Sequence, residues 1–289
     1  MHALDRLKIT VLAEDSVGYE RSLLGQHGIS MLLEARKGAV ERRILVDVGQ
    51  HSHALLFNMK QLGIDPGCID AVCVTHCHYD HTQGIVDVLK AVGKRDLPVV
   101  AHPDTFRPHF ITAPYLRHVG VAGGDSRARI EEAGGALFLC RDPLELMPGL
   151  TTTGEVKRET DFERVGIPLR TLVDGRLVED PLPDDISLAA TLAGGGSAVV
   201  TGCSHAGIVN IIRRCRELTG TDRIECVVGG FHLVEAEEER IAKTVEALAK
   251  LDIRRIAAGH CTGFRAQVAL HLKFKERFTP LTTGMTFEL

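Results

Sequence analysis

Within six residues, HCHYDH, the chain sets three imidazoles and a carboxylate: His76, His78, Asp80 and His81. Neutral imidazole and carboxylate are good ligands for zinc and other divalent first-row metals. Side chains of an extended segment alternate with period two, so His76 and His78 project to one side and can grip one ion. Asp80 and His81 fall in the turn that starts the next helix and can reach a second. The plain alternative is a polar turn with incidental histidines. Imidazoles crowded together without a metal would repel one another once protonated, which weighs against it.

Three more histidines repeat the arrangement at later strand exits. His205 stands in SAVVTGCSHAG, His232 in RIECVVGGFHL and His260 in RRIAAGHCTG. Ligands in open α/β folds gather at the carboxyl ends of strands. Any one of these histidines alone reads as an ordinary structural or surface residue; as a set they favour a shared site. Cys203 (in GCSH) and Cys261 (in GHC) sit beside two of them. Other cysteines lie in apolar runs, where a reduced thiol behaves as a small hydrophobe. No CxxC pair and no secretory signal are present, so disulfides are not expected.

The elements that must position these groups follow from apolar periodicity. KITVLAE, ISMLLEAR and RRILVDVGQ read as strands. Residues 52–62 read as a helix with Gly63 as its cap, DAVCVTH as a strand, QGIVDVLKAV as a helix and LPVVAH as a strand. Residues 103–132 show no clear period and read as an irregular, lid-like segment or a solvated excursion. Beyond them, GGALFLC, LTTTGEV, ISLAATLA, SAVVTGC, RIECVVGGF and RRIAAGH read as strands. AGIVNIIRRCREL, EEERIAKTVEALAKL and TGFRAQVALHLKF read as helices; the second has Ile241, Val245, Leu248 and Leu251 on one stripe and an i,i+4 pair, Glu246 with Lys250. The halves look alike in kind, which suggests one α/β domain over 1–289. A net charge of −4 gives no reason to expect nucleic acid or an anionic membrane. No apolar run reaches the ~18–20 residues of a membrane span, so a cytoplasmic protein is expected. The sequence sets no oligomeric state.

THCHYDH followed by GIV resembles the HxHxDH signature of the metallo-β-lactamase superfamily, RRILVDVGQ the strand before it and GHCTG its late histidine motif. More narrowly, LLGQHGISMLLEA, VTHCHYDHTQGI, HPDTF, TGCSHAGIVNII, GGFHL and GHCTG resemble the dihydropteroate-synthase-like subgroup, the 7,8-dihydropterin-6-ylmethyl-aminobenzene ribofuranosyl phosphate synthases. The resemblance implies a four-layer αββα sandwich with a dinuclear site at one edge of its two sheets. His76 and His78 would bind the first metal; Asp80, His81 and His260 the second. The superfamily's bridging aspartate in a TGD turn is replaced here, where the turn reads TGCSH, by Cys203. His205 is the favoured added ligand, and Cys203 a thiolate ligand or a structural residue. The histidine usual before that strand is also missing, and PLPDDISLA offers Asp184 and Asp185 instead. The resemblance implies one or two divalent ions, zinc first, with manganese or iron as alternatives.

A bound divalent ion lowers the pKa of its water from about 15.7 towards ~7. The first expectation is therefore a metal-dependent hydrolase whose metal-bound hydroxide attacks a small anionic substrate: a phosphodiester, cyclic phosphate, lactone or thioester. Asp80 would orient the hydroxide and accept its proton, and His232 would donate to the leaving group, bind substrate or support the ligands. Arg107, His109, Tyr115 and Arg117 are candidate substrate contacts, with Arg127 and His118 adding to the basic character of that segment. The second expectation is the subgroup's pterin transferase activity, a dihydropterin-methyl diphosphate plus an arylamine. The third is a catalytically silent metal-binding sensor.

Overall fold

Odd- and even-numbered apolar residues part company along the first three strands, β1 (Arg6–Ala13), β2 (Ser30–Lys37) and β3 (Val40–Val46). Leu7, Ile9, Val11, Met31 and Leu33 enter one core cluster, whereas Leu12, Leu32 and Leu45 enter another. Strand side chains alternate between faces, so this sheet is covered on both. The computed structural model describes residues 3–164 and 166–289.

The chain continues through α1 (Ser52–Gln61), β4 (Ala71–Cys73), α2 (Tyr79–Thr82), α3 (Ile85–Val92) and β5 (Leu97–Ala101). Then come β6 (His109–Ile111), β7 (Arg117–His118), α4 (Arg127–Glu132) and β8 (Gly135–Leu139). β9 (Glu145–Met147) and β10 (Leu150–Thr152) precede a hairpin, β11 (Leu169–Val173) and β12 (Arg176–Glu179). β13 (Leu188–Thr191), β14 (Ser197–Val200), α5 (Ile208–Thr219), β15 (Ile224–Gly230) and α6 (Glu238–Ala249) follow. The chain closes with β16 (Ile256–Gly259), α7 (Phe264–Phe274), β17 (Phe278–Pro280) and β18 (Thr286–Glu288).

One seven-stranded sheet has the order β18-β1-β2-β3-β4-β5-β8 and the other β17-β16-β15-β14-β13-β10-β9. Ala198, Val200, Cys226 and Val228 of the second sheet meet Ile9, Val11 and Leu33 of the first in the cluster between the sheets. Val199, Val227 and Ala258 face the opposite way, onto Ile211 and Ile212 of α5, Val245 and Leu248 of α6, and Leu270 of α7. On the far side of the first sheet, Leu55 of α1, Val88 and Leu89 of α3 and Ile130 of α4 pack on Val72 and Val99. These layers make the α/β, αββα sandwich. β3, β4, β5 and β8 run parallel, as do β14 to β17. Each parallel set delivers its carboxyl ends to one edge.

Two details differ from the sequence expectations. Residues 103–132 are not irregular throughout: β6 and β7 join β11 and β12 in a third, four-stranded sheet, order β12-β11-β6-β7. Strands of two to five residues are too short to show period two against their turns. Ile111, Val119, Leu169 and Leu182 of this region enclose Cys77, and Val119 O accepts from Tyr79 N at 3.0 Å, so the small sheet clasps the HCHYDH loop. On α6, Glu246 pairs not with Lys250 but with Lys273 of α7, at 2.7 Å. Tertiary packing of α6 on α7 supplies the nearer cation.

Candidate metal centre

Asp47 follows the last residue of β3 at φ +56 and is fully buried. Its carboxylate accepts from Thr75 N and from Thr75 Oγ1, both at 2.7 Å, and lies 2.7 Å from His81 Nδ1. One acid thus ties the exits of β3 and β4 to α2. The TGCSH turn packs on the same group. A Cβ on Gly202 would lie 2.1 Å from Thr75 Oγ1 and 3.0 Å from Asp47 Oδ2, so only glycine lets the β14 exit approach. Ser204, His232 and His260 also hold φ of +62, +43 and +50. Backbone held in this sparsely populated region costs on the order of 1–3 kcal/mol per residue and clusters at functional sites.

The structure gathers the candidate ligands into two groups. In the first, ligand atoms of His76, His78 and His205 all lie within 4.8 Å of one another. His76 Nδ1 contacts Thr75 Oγ1 at 3.1 Å, which leaves Nε2 to face His78 Nδ1 at 3.1 Å. Burial, reinforced by the neighbouring imidazoles, pulls His76 and His205 well below the ordinary histidine range. Burial likewise lowers His78 to about 3, so all three are neutral near pH 7.

The second group is Asp80, His81, Cys203 and His260, again within 4.8 Å. His81 Nε2 stands 3.1 Å from Cys203 Sγ, and Asp80 Oδ2 is 3.2 Å from His260 Nε2 and 3.5 Å from His81 Nε2. Burial works to lower His81, but the carboxylates of Asp80 and Asp47 outweigh it and lift it to about 9. His260 is raised too: against its burial act Cys261, Asp15 and Asp80, with Asp15 Oδ1 2.9 Å from its Nδ1. Burial and Cys261 hold the Cys203 thiol well above its usual range.

Metal ions fit this donor set. Buried His78 Nε2, His260 Nε2 and both ring nitrogens of His205 and His232 have no hydrogen-bond partner among the described residues. Each buried polar atom left unpaired costs about 1–3 kcal/mol. His260 Nε2 is near Asp80 Oδ2 by distance but off the hydrogen-bond direction, as two ligands facing a common point would be. A tetrahedral ion with metal–nitrogen bonds of about 2.0–2.1 Å sets its nitrogens about 3.3 Å apart, close to the 3.1 Å between His76 Nε2 and His78 Nδ1.

His232 lies against His205 with ring centroids 4.0 Å apart and the rings tilted by 49°, and it shares a group with Cys203 and His205. Asp184 and Asp185 stay outside both ligand groups. Asp184 accepts from Cys77 N at 2.8 Å and Asp185 from Ala206 N at 2.7 Å, so they brace the turns on which His76, His78 and His205 stand. Arg107 and His109 both engage Asp180, and Arg127 donates to Pro103 O over the Phe106 ring. The structure therefore gives most of the basic residues of that segment protein partners. Tyr115, Arg117 and His118 are exposed on β7 and the turn before it.

Sequence reasoning missed the supports: Asp15, His27 and the role of Asp47. Exposed His27 lies 3.3 Å from Asp15 Oδ2 and 3.5 Å from Asp80 Oδ2, beside the second group. Next to His27, Gly28 holds φ +111 and leaves no room for a side chain: its Cβ would meet Asp80 O at 2.0 Å.

The metallo-beta-lactamase superfamily profile matches residues 30–167. A 7,8-dihydropterin-6-methyl-4-(β-D-ribofuranosyl)-aminobenzene-5'-phosphate synthase of Methanocaldococcus jannaschii is 40% identical over 284 residues, 97% of this chain and 96% of that protein. An uncharacterized protein of the same organism is 31% identical over 259 residues, 89% of this chain and 91% of its own. Among solved structures, a metal-dependent hydrolase of the β-lactamase superfamily matches with a TM-score of 0.81 at 24% identity, covering 98% of this chain and 99% of that one. With this fold, these matches and two donor groups at the sandwich edge, the chain belongs to the metallo-β-lactamase superfamily, a family of enzymes whose fold holds divalent metal ions.

Proposed function

We propose that the protein is a metal-dependent transferase that joins a dihydropterin-methyl diphosphate to an arylamine. The observation that carries this reading is the 40% identity, over nearly the whole of both chains, to a protein named as such a synthase. It promotes the second expectation from the sequence above the first, since the hydrolase reading rests on the superfamily alone. In the reaction the arylamine nitrogen attacks the methylene carbon, a C–N bond forms, and the C–O bond to diphosphate breaks. The electron pair leaves with the diphosphate, and the amine loses one proton.

His76, His78 and His205 would hold one ion, and Asp80, His81, Cys203 and His260 the other. Bound divalent ions supply positive charge that offsets the charge developing on the leaving diphosphate. Asp47 and Asp15 fix the ring orientations of His81 and His260. His232, with both ring nitrogens unpaired among the described residues, would donate a hydrogen bond to the diphosphate. Asp80, as a carboxylate of the second group, would take the amine proton. The neutral, buried imidazoles of the first group add no charge of their own to repel a cation.

Metal-loaded protein is incubated with the pterin diphosphate and an aminobenzoate-type acceptor, and condensed product and diphosphate are quantified by chromatography. One diphosphate released per product is expected. Diphosphate release with pterin alcohol as the only product, at the same rate with and without amine, returns the reading to a hydrolase. No turnover in either assay by protein that retains its metal favours the silent sensor.

A further inference from the structure

The turn that carries His205 towards the metal groups also walls a cavity of about 250 Å³. Val156, Leu182 and Pro183 give this cavity apolar sides, and Arg158, Asp185 and Glu155 are its charged lining, Glu155 being already paired with Arg141 and His102. Asp185 is 1% exposed, and one of its oxygens is committed to Ala206 N at 2.7 Å. The other, Oδ1, has no hydrogen-bond partner among the described residues. Asp185 lines the cavity and carries an unpartnered buried acceptor, which a ligand N–H would satisfy. Arg158 binds the cavity to the site: its Nη1 donates to His205 O at 2.6 Å and its Nη2 to Pro181 O at 2.5 Å and Leu182 O at 3.3 Å. A guanidinium has five N–H donors, so some remain for a ligand.

A buried carboxylate acceptor, a fixed cationic donor and apolar flanks together describe a partner. It is flat, carries N–H donors beside a ring carbonyl, and has apolar faces. The 2-amino-4-oxopyrimidine edge of a pterin has that pattern. We propose that this cavity is the pterin subsite, with Asp185 Oδ1 accepting from the ring's amino or imino N–H and Arg158 donating to its carbonyl. The inference rests on the proposed transferase reading and names how that substrate is recognised. The volume sits just below the ~300 Å³ at which pockets for drug-sized ligands begin. That suits one bicyclic ring, and leaves the diphosphate outside it, on the side where the same turn presents His205.

Titration calorimetry on metal-loaded protein tests it with two probes, 6-hydroxymethyl-7,8-dihydropterin and 2-amino-4-hydroxypyrimidine, alongside metal analysis. In Asp185→Asn the amide oxygen stays with Ala206 N, which turns the NH2 into the cavity, donor against donor. Pro183→Trp fills the cavity from its half-buried rim without touching that turn. Pro183→Trp is expected to keep wild-type metal content, and both variants are expected to weaken both probes tenfold or more. If Asp185→Asn weakens binding and loses metal while Pro183→Trp binds normally, Asp185 only braces His205 and the subsite is wrong. Pterin binding unchanged in both variants places the ring elsewhere and leaves the transferase reading intact. Asp185-dependent binding of the pyrimidine with none of the pterin keeps the subsite and removes the pterin reading. Binding of neither probe by the wild type overturns the subsite.

Discussion

The two donor groups lie side by side, yet they are built on different principles. His76, His78 and His205 form a group of imidazoles with no carboxylate in it, and both ring nitrogens of His205 are unpaired. Asp80, His81, Cys203 and His260 include a carboxylate and a thiol, and two further acids, Asp47 and Asp15, stand behind the histidines. Burial keeps the first group neutral by desolvation, while the second keeps its histidines basic by acidic partners. Removing a ligand should therefore do different things on the two sides: the first group has little else to hold an ion, and the second has a scaffold that outlasts a single change.

His78→Ala should be the most damaging change, since it leaves two imidazoles in a group of three. Turnover should fall by more than about 100-fold, beyond the range for supporting residues. Metal analysis should show one ion lost while the second is retained. Unchanged metal content and turnover would end both the enzyme reading and the assignment of the first group. Asp47→Asn should cost less, about 10–100-fold in metal affinity at the second group only, because the carboxylate orients His81 without touching the ion. A chelator titration that finds the two ions weakened equally would show that the groups are not separable.

How much of this contrast was legible in the sequence depends on distance along the chain. HCHYDH is local, so spacing alone places its four ligands, and the exits of β14, β15 and β16 bring His205, His232 and His260 to the same edge. Asp15 could not be read, because it meets His260 across 245 residues and nothing local marks it. Cys203 read more readily as a small hydrophobe than as a member of the second group, because its apolar strand gives no sign of His81. The four strands of the small sheet are too short for period two. The sandwich was readable because its strands are long and covered on both sides, with alternate residues serving different cores.

Chelator-treated protein should display the contrast as a pH profile. The first group's histidines are held below their unfolded pKa of about 6.5, so the folded state binds fewer protons there. Stability then falls as pH drops below about 6.5, with His78 titrating near 3. His81 is held above its unfolded value, so its contribution is complete below about 6.5 and lost as pH rises through about 9. Thermal melts from pH 5 to 9.5 should therefore decline on both flanks. With metal bound the alkaline decline should vanish, because His81 has already given up its proton to coordinate. A melting temperature that rises steadily to pH 9.5 in the chelated protein contradicts the assignment for His81.

The smallest effect should come from Cys203, and it distinguishes the groups most finely. Cys203, once its thiol gives up its proton to a bound ion, would make the second group softer than the first, and soft ligands favour zinc over manganese. Cys203→Ser should weaken zinc binding at the second group by about tenfold or less, with little change for manganese, because Asp80, His81 and His260 remain. Cobalt makes the test direct: the wild-type protein should absorb in the near ultraviolet through sulfur-to-metal charge transfer, and Cys203→Ser should lose that band. Cys261→Ser is the control, since its sulfur contacts Cys203 O at 3.5 Å and belongs to neither group. A band that survives Cys203→Ser and disappears with Cys261→Ser would move the sulfur ligand to the β16 exit and make Cys203 a structural neighbour of His81.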